Sequence, residues 1–186
     1  MKKVTLLGDS IRLIGYGSTV AHRLSDEFTV WQPAENCRFA QHTLRGLWEW
    51  ADEIAGSDVV HWNNGIWDVC RLFDDGTFTP IDRYVELMVR IASLLKQRAK
   101  VVIFATTTPV RDGDPRKRNE DITAFNEALV PKLRALGVVI NDLHALVSAD
   151  IPRYVREDDR THLTDEGIAV CAAQVEKVIR EEAQKL

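Results

Sequence analysis

The sequence has few cysteines, no long hydrophobic run and no excess of positive charge, and each absence excludes a class of protein. The three cysteines, Cys37, Cys70 and Cys171, are odd in number and widely spaced without a CxxC pair, which argues against a disulfide framework and a zinc site. No stretch reaches the roughly 18 apolar residues needed to cross a membrane. A net charge of −4 is unlike the basic surface of a nucleic-acid-binding protein. We therefore expect reduced thiols, no metal, no membrane and no nucleic-acid partner.

Short nucleotide-binding and metal-binding motifs are also missing from the chain. No Walker loop, HExxH motif or EF-hand pattern occurs. Gly15-Tyr16-Gly17 resembles the beginning of a dinucleotide-binding fingerprint, but Val20 stands where the third glycine belongs. We therefore expect no cofactor.

The N-terminal residues do not form a secretory signal. Only Val4-Thr5-Leu6-Leu7 separates the basic Met1-Lys2-Lys3 from Gly8, which is too short for the apolar region of a signal peptide. The sequence therefore predicts a cytoplasmic protein.

The chain contains a regular alternation of strand and helix patterns. Its 186 residues, 45% of them hydrophobic, suit a single domain, 1–186, with a full core. Five apolar runs predict buried strands at 4–7, 28–31, 59–63, 101–105 and 138–140. Helical spacing predicts helices at 11–25, 41–55, 81–98, 121–136 and 164–185, and Pro131 is expected to kink or break the fourth. This alternation predicts an α/β fold with a parallel sheet and helices on both faces.

A serine follows the first predicted strand, in the run Gly8-Asp9-Ser10. In open α/β sheets, ligands bind beyond the carboxyl ends of the strands. The N-terminus of the following helix offers free N–H groups and a partial positive charge, which suits an oxyanion next to Ser10. These three residues leave open a plainer alternative, in which Ser10 caps the helix and Asp9 forms the turn.

A nucleophilic serine needs a base, and two histidines have an aspartate three residues before them. Asp58 and His61 fall in a predicted strand, where residues three apart point to opposite faces and lie roughly 10 Å from each other. Asp159 and His162 fall in a polar loop that can bring the carboxylate to one imidazole nitrogen. These residues therefore predict a triad of Ser10, Asp159 and His162, although a plain loop histidine beside a helix start remains the alternative for His162.

The two end motifs resemble those of a known family. Gly8-Asp9-Ser10 near the N-terminus, with Asp159-x-x-His162 leading into the last helix, resembles the SGNH family of GDSL-type esterases and lipases over nearly the whole chain. The resemblance implies a flavodoxin-like three-layer α/β/α sandwich whose five-stranded parallel sheet has the order 2-1-3-4-5. It also implies a Ser-Asp-His triad. The oxyanion hole would combine the Ser10 N–H, a loop after strand two and an asparagine after strand three.

The sequence departs from the family pattern at both of the middle motifs. The family usually has a glycine after strand two, but the segment 33–41 contains none. After strand three, Gly65-Ile66-Trp67-Asp68 places tryptophan where the family has asparagine. We prefer Asn63 as the side-chain donor to the oxyanion and leave Asn64 open. Both asparagines are also compatible with a role in shaping the turn.

Several further residues are expected around this site. Trp62 and Trp67 flank it and are candidates for stacking on a sugar or an acyl group. Arg12, two residues after the serine, either contacts an anionic substrate or lies on the surface. The mixed-charge segment 111–118 is expected to be a solvated loop, and lining the mouth of the site is its alternative role.

Together these features predict a serine hydrolase that cleaves carboxylic (acyl) esters of small molecules or sugars without a cofactor. The alternatives are an esterase specific for acylated carbohydrates or glycans, a non-catalytic binding protein on the same fold, and a flavodoxin-like cofactor binder.

Overall fold

Five parallel strands form one sheet in the order β2-β1-β3-β4-β5. The computed structural model describes residues 1–186. The strands are β1 Lys2–Leu7, β2 Phe28–Trp31, β3 Ser57–Asn63, β4 Ala99–Ala105 and β5 Val139–Asn141. Each lies within two residues of its predicted bounds, because short runs of β-branched and apolar residues mark buried strands clearly. The predicted strand order and the parallel pairing are both confirmed.

Helices cover both faces of the sheet, which gives the expected three-layer α/β/α sandwich. The longer helices are α1 Gly17–Leu24, α2 Ala40–Glu49, α4 Ile81–Lys96, α5 Asn119–Ala135 and α8 Asp165–Gln184. The short ones are α3 Ala51–Ile54, α6 Leu143–Ser148 and α7 Ile151–Tyr154. α1 packs against α8 in one layer, while α4 packs against α2 and α5 in the other. Their apolar stripes join the strands in a core of 44 buried hydrophobic residues.

Three helix predictions need correction. The predicted helix 41–55 is two helices, α2 and α3, which meet at Trp50 with φ −99° and ψ 24°. The Trp50 ring lies across Gly46, where an added Cβ would be only 2.3 Å away. α5 passes through Pro131 without a break, since packing of the buried Leu129 and Leu133 outweighs one lost backbone hydrogen bond. α7 is a further short helix at a position where the helical spacing predicted none.

The first helix begins with a π-helical turn, Arg12–Tyr16, before α1. Gly15 there has φ −108° and ψ −116°, so the segment predicted as one helix over 11–25 has a break in its helical backbone at this glycine. None of the helices has the length and apolarity that crossing a membrane requires.

Candidate active site

Ser10, Asp159 and His162 line one cavity of about 680 Å³. The parallel register explains how the two ends of the chain come together there. Leu7 at the end of β1 pairs with Trp62, and Asn63 at the end of β3 pairs with Ala105. The segments that leave these strands therefore emerge at the same edge of the sheet. The cavity lining is largely apolar and includes Ile14, Phe39, Ile66, Trp67, Leu72 and Phe78.

The turn that carries Ser10 is fixed by the side chain before it. Oδ1 of Asp9 accepts hydrogen bonds from the Ile11 N–H at 2.9 Å and from the Asn63 amide at 2.8 Å. Its Oδ2 is buried without a partner, and burial raises the pKa of Asp9 to about 6 despite those two hydrogen bonds. Gly8 is required here, since a Cβ would lie 2.0 Å from the Asn63 Oδ1.

Ser10 itself has no hydrogen-bond partner within the protein. Neither its hydroxyl nor its N–H takes part in a hydrogen bond, whereas the N–H groups of Arg12 and Leu13 both donate to the Asp9 carbonyl. The residue is 8% exposed, and this surface faces the cavity. The hydroxyl and the N–H are therefore both free to meet a molecule bound there.

Asp159 holds the ring of His162 as the loop geometry predicts. Its Oδ2 accepts from His162 Nδ1 at 2.9 Å, and its Oδ1 accepts from the N–H groups of Thr161 and His162, both at 2.9 Å. Partial burial opposes ionisation of Asp159, but these hydrogen bonds outweigh it and lower the pKa to about 2. Because Nδ1 carries the proton, Nε2 is the nitrogen available as a base.

No hydrogen bond joins Ser10 to His162, although both residues line the same cavity. In enzymes without bound substrate such hydrogen bonds are often long and tighten only in the reacting complex. The sequence-predicted triad is therefore brought to one cavity, with its Asp159–His162 hydrogen bond formed and its Ser10–His162 hydrogen bond not formed.

The other Asp–His pair of the sequence has a purely structural environment. His61 is fully buried, its Nε2 accepts from the Asn141 amide at 3.1 Å, and burial lowers its pKa to about 3. Asp58 instead accepts from the Lys3 N–H at 2.7 Å and pairs with Lys100. The two side chains do not contact each other, as the strand geometry predicts.

Asn63 supports the serine turn and lies outside the cavity lining. Its amide donates to Asp9, and its Oδ1 accepts from the Tyr16 hydroxyl at 2.8 Å. One amide hydrogen is left over, so a role as oxyanion donor stays a prediction.

Asn64 is fully buried and engaged at both ends of its amide. Its Oδ1 accepts from the Thr43 hydroxyl at 2.9 Å and from the Trp62 indole at 2.7 Å. Its Nδ2 donates to the Arg38 carbonyl at 2.8 Å. The side chain thus ties the end of β3 to the loop after β2.

The loop after β2 forms its turn without the family glycine. Arg38 has φ 51°, in the left-handed region, which costs a residue with a Cβ about 1–2 kcal/mol. The Asn36 side chain stabilises this conformation, because its Oδ1 accepts from the Arg38 N–H at 2.7 Å. The next N–H, that of Phe39, has no partner within the protein. This loop therefore presents a free N–H next to the cavity.

Asp68 connects two walls of the cavity, a role that the sequence did not reveal. Its oxygens lie 3.1 and 3.2 Å from the N–H of Ala40, and Oδ1 also accepts from the Thr79 hydroxyl at 2.7 Å. Burial raises the pKa of Asp68 to about 7 despite these hydrogen bonds. Ala40 and Thr79 are the neighbours of Phe39 and Phe78, one in each wall of the cavity. The centroids of these two rings lie 5.1 Å apart, so the two walls contact each other.

Both expectations for Arg12 were wrong, because its side chain is buried rather than on the surface or at the substrate. Nη1 donates to the Pro33 carbonyl at 2.9 Å, and Nη2 donates to the carbonyls of Glu35 at 2.7 Å and Gly8 at 3.1 Å. Arg12 therefore holds the loop after β2 against the serine turn. Sequence reasoning did not consider that an arginine on the first turn of a helix can turn inward. Here the Arg12 side chain binds the backbone of a neighbouring loop.

The two tryptophans that flank the site in sequence have different positions. Trp62 is fully buried and packs against Phe104, with the ring centroids 4.9 Å apart, so its predicted stacking on a substrate was wrong. Trp67 is 39% exposed and lines the cavity.

The segment 111–118 supports the histidine loop. The Thr161 hydroxyl donates to Asp114 at 2.7 Å, and the Arg160 guanidinium donates to the Gly113 carbonyl at 2.7 Å. Arg116 and Lys117 also line the cavity. The segment is therefore the solvated loop that the sequence predicts, and it also lines the mouth of the cavity. No group of three or more His, Cys, Asp or Glu side chains is arranged to hold a metal ion.

Solved structures share this architecture, whereas no family model and no curated protein matches the sequence. A lipase/acylhydrolase from Enterococcus faecalis superimposes with a TM-score of 0.82 at 16% identity, over 97% of this chain and 96% of that one. The acetyl xylan esterase AlAXEase gives 0.78 at 21% identity, over 95% and 99%. The chain therefore has the same three-layer α/β/α fold as these solved structures. Axe2, an acetylxylan esterase from Geobacillus stearothermophilus, shares this fold with a TM-score of 0.77 at 19% identity, over 98% and 94%.

Proposed function

We propose that the protein is a serine hydrolase that cleaves carboxylic esters with Ser10 as nucleophile. One observation carries the proposal: an unpaired Ser10 hydroxyl faces the same cavity as a histidine whose Nδ1 is held by Asp159. A serine, a histidine and an orienting carboxylate are the groups that acyl transfer needs. The lipase/acylhydrolase and the acetyl xylan esterases with the same fold support ester hydrolysis.

The reaction begins when His162 Nε2 takes the proton of the Ser10 hydroxyl and Ser10 Oγ attacks the ester carbonyl. Asp159 keeps the Nδ1–H tautomer and stabilises the imidazolium that forms. The alcohol then leaves with the proton from His162, and the acyl group remains on Ser10. A water molecule loses a proton to His162, attacks the acyl carbonyl and releases the carboxylic acid, which restores the free serine.

The oxyanion of the tetrahedral intermediate forms next to backbone N–H groups. The N–H of Ser10 is unpartnered and is the first donor, and the free N–H of Phe39 lies in the loop from which the family draws a second. The remaining amide hydrogen of Asn63 is the side-chain donor that the sequence favours. Each well-placed donor contributes about 3 kcal/mol to transition-state stabilisation.

The test compares wild type with Ser10→Ala on a series of p-nitrophenyl esters from acetate to octanoate. We expect Ser10→Ala to lose hydrolysis and keep the wild-type circular dichroism spectrum, while Ser25→Ala, a substitution on the exposed end of α1, retains hydrolysis. Full hydrolysis by Ser10→Ala would rule out the proposed nucleophile. Acetylated xylan is the comparison substrate for the carbohydrate alternative, and the apolar lining favours acyl or aryl groups over a sugar.

A further inference from the structure

The cavity has a positive charge that the protein does not neutralise. Arg116 lines the cavity, and its guanidinium forms no ion pair and no hydrogen bond within the protein. Two neighbouring cations are paired, whereas Arg118 has no partner but does not line the cavity. Arg71 binds Asp121 at 2.7 Å, and Lys117 lies 3.7 Å from Asp114. Arg116 is therefore the cation of the cavity lining that remains free to bind an anion.

The backbone beneath Arg116 is held in place from both sides. Its N–H donates to the Asp114 carboxylate at 2.8 Å, and its carbonyl accepts from the Arg71 N–H at 2.7 Å. The guanidinium therefore extends from a fixed position at the cavity wall. Binding an anion would therefore restrict the side-chain rotamers of Arg116 but not its backbone, which is already fixed.

The other charges of the lining do not cancel that of Arg116. Asp159 is engaged by His162 at 2.9 Å and lies 3.7 Å from Arg156. The Lys117 ammonium donates to the Thr161 hydroxyl at 3.0 Å in addition to its contact with Asp114. A molecule in the cavity therefore meets an apolar surface with a cationic group at one side.

We propose that the substrate is an amphiphilic ester, with an apolar acyl or aryl group and an anionic group that binds Arg116. The apolar group lies against the cavity surface formed by Ile66, Trp67, Leu72 and Phe78. The anion, a carboxylate or a phosphate, accepts hydrogen bonds from the guanidinium. This inference rests on the proposed ester hydrolysis and adds the substrate class to it.

The experiment uses two esters of the same acyl length, p-nitrophenyl butyrate and mono-p-nitrophenyl succinate, and subtracts the spontaneous hydrolysis of each, because the succinate carboxylate also attacks its own ester. We expect wild type to have the higher kcat/KM for the succinate ester. In Arg116→Gln, the ratio of the two kcat/KM values, succinate over butyrate, is expected to fall about tenfold, which is the size of one charge-assisted hydrogen bond. Arg118→Gln is the matched control, because Arg118 is also an arginine of this loop and does not line the cavity. Its ratio should equal that of wild type.

Two results would overturn the substrate class. One is a wild-type ratio below one, and the other is an Arg116→Gln ratio equal to that of wild type. Salt is a second criterion, since 0.5 M sodium chloride should lower kcat/KM for the succinate ester more than for the butyrate ester.

A binding measurement separates this inference from ester hydrolysis itself. Octanoate and 1-octanol are each titrated into Ser10→Ala protein, and the change in tryptophan fluorescence gives the dissociation constant. The cavity residue Trp67 contributes to this fluorescence. We expect Ser10→Ala protein to bind octanoate more tightly than 1-octanol. The double variant that also carries Arg116→Gln should not show this preference. If wild type hydrolyses neither ester but the preference is present, ester hydrolysis fails and the anion site stands. If both esters are hydrolysed without any anion preference, the anion site fails alone.

Discussion

The carboxylate of Asp159 accepts the Nδ1–H of His162 at 2.9 Å, within a loop that lines the same cavity as Ser10. Two backbone N–H groups also bind Asp159, so its position does not depend on the histidine alone. The pair is thus formed before any substrate arrives. This arrangement leaves Nε2 as the imidazole nitrogen that is free to act as a base.

Replacing this carboxylate tests the arrangement. Asp159→Asn should lower kcat by roughly 10³–10⁴-fold, since an amide can hold the wrong tautomer and cannot stabilise an imidazolium. Asp158→Asn is the matched control, because Asp158 pairs with Arg156 and not with His162. Ester hydrolysis from pH 5 to 9 measures both variants. A kcat for Asp159→Asn within threefold of wild type would contradict the assignment of Asp159.

Asp68→Asn should change how stability depends on pH. The pKa of Asp68 is raised to about 7 in the folded protein, mainly by burial, so folding favours the neutral carboxyl. Its stabilising contribution is complete below the unfolded pKa near 4 and is lost as the pH rises through 7. The free energy of unfolding of wild type relative to Asp68→Asn should therefore decrease between pH 4 and pH 7.

Urea denaturation of both proteins at pH 4, 5.5 and 7 measures this difference. The comparison between the two proteins cancels the contributions of Asp9 and His61, whose pKa values are also shifted. A difference that is constant or increases with pH would contradict the assignment. KM is the second readout, since Asp68 connects the Phe39 and Phe78 walls of the cavity and its loss should weaken substrate binding.

Arg12→Met should destabilise the protein by about 3 kcal/mol or more, because several buried carbonyl oxygens lose their donor. The loop after β2 depends on these hydrogen bonds, through Pro33 and Glu35. Arg12→Lys should restore only part of the stability, since a single ammonium cannot reach all three carbonyls. Urea denaturation measures both, with the exposed Arg45→Met as control. Wild-type stability of Arg12→Met would show that the buried guanidinium is dispensable.

Asn63→Ala separates the two roles of that asparagine. As an oxyanion donor it should lower kcat by about 10²-fold at nearly unchanged KM. As a support for Asp9 and Tyr16 alone, its loss should lower the melting temperature and leave kcat nearly unchanged in the folded protein. Kinetics well below the melting temperature therefore distinguish the two. Asn36→Ala is measured in parallel as the comparison variant. Asn36 is an asparagine that lines the cavity, whereas Asn63 does not.

Local sequence patterns were sufficient to predict the strands and to single out candidate residues at both ends of the chain, whereas the sheet order came from the resemblance to the SGNH family. Each strand is predicted from an apolar run, which can be recognised from consecutive residues alone. Asp159 and His162 are three residues apart, so loop geometry alone makes their contact possible. Exclusion of Asp58 and His61 required only the side-chain alternation of a strand.

The middle of the site could not be predicted because its contacts join distant segments. Asp68 binds the N–H of Ala40, 28 residues earlier, and Arg12 binds the carbonyl of Glu35, 23 residues later. The left-handed conformation of Arg38 depends on Asn36 and Asn64, and propensity alone would have placed a glycine there. Tertiary hydrogen bonds of this kind override local preference.

The most direct test of the central claim is covalent labelling of the wild-type protein with a fluorophosphonate probe, followed by peptide mass spectrometry. The account predicts one adduct, on the Ser10 hydroxyl, that forms much more slowly in His162→Ala and is absent in Ser10→Ala. An adduct on another residue, or wild-type ester hydrolysis that continues after Ser10 is fully labelled, would contradict it.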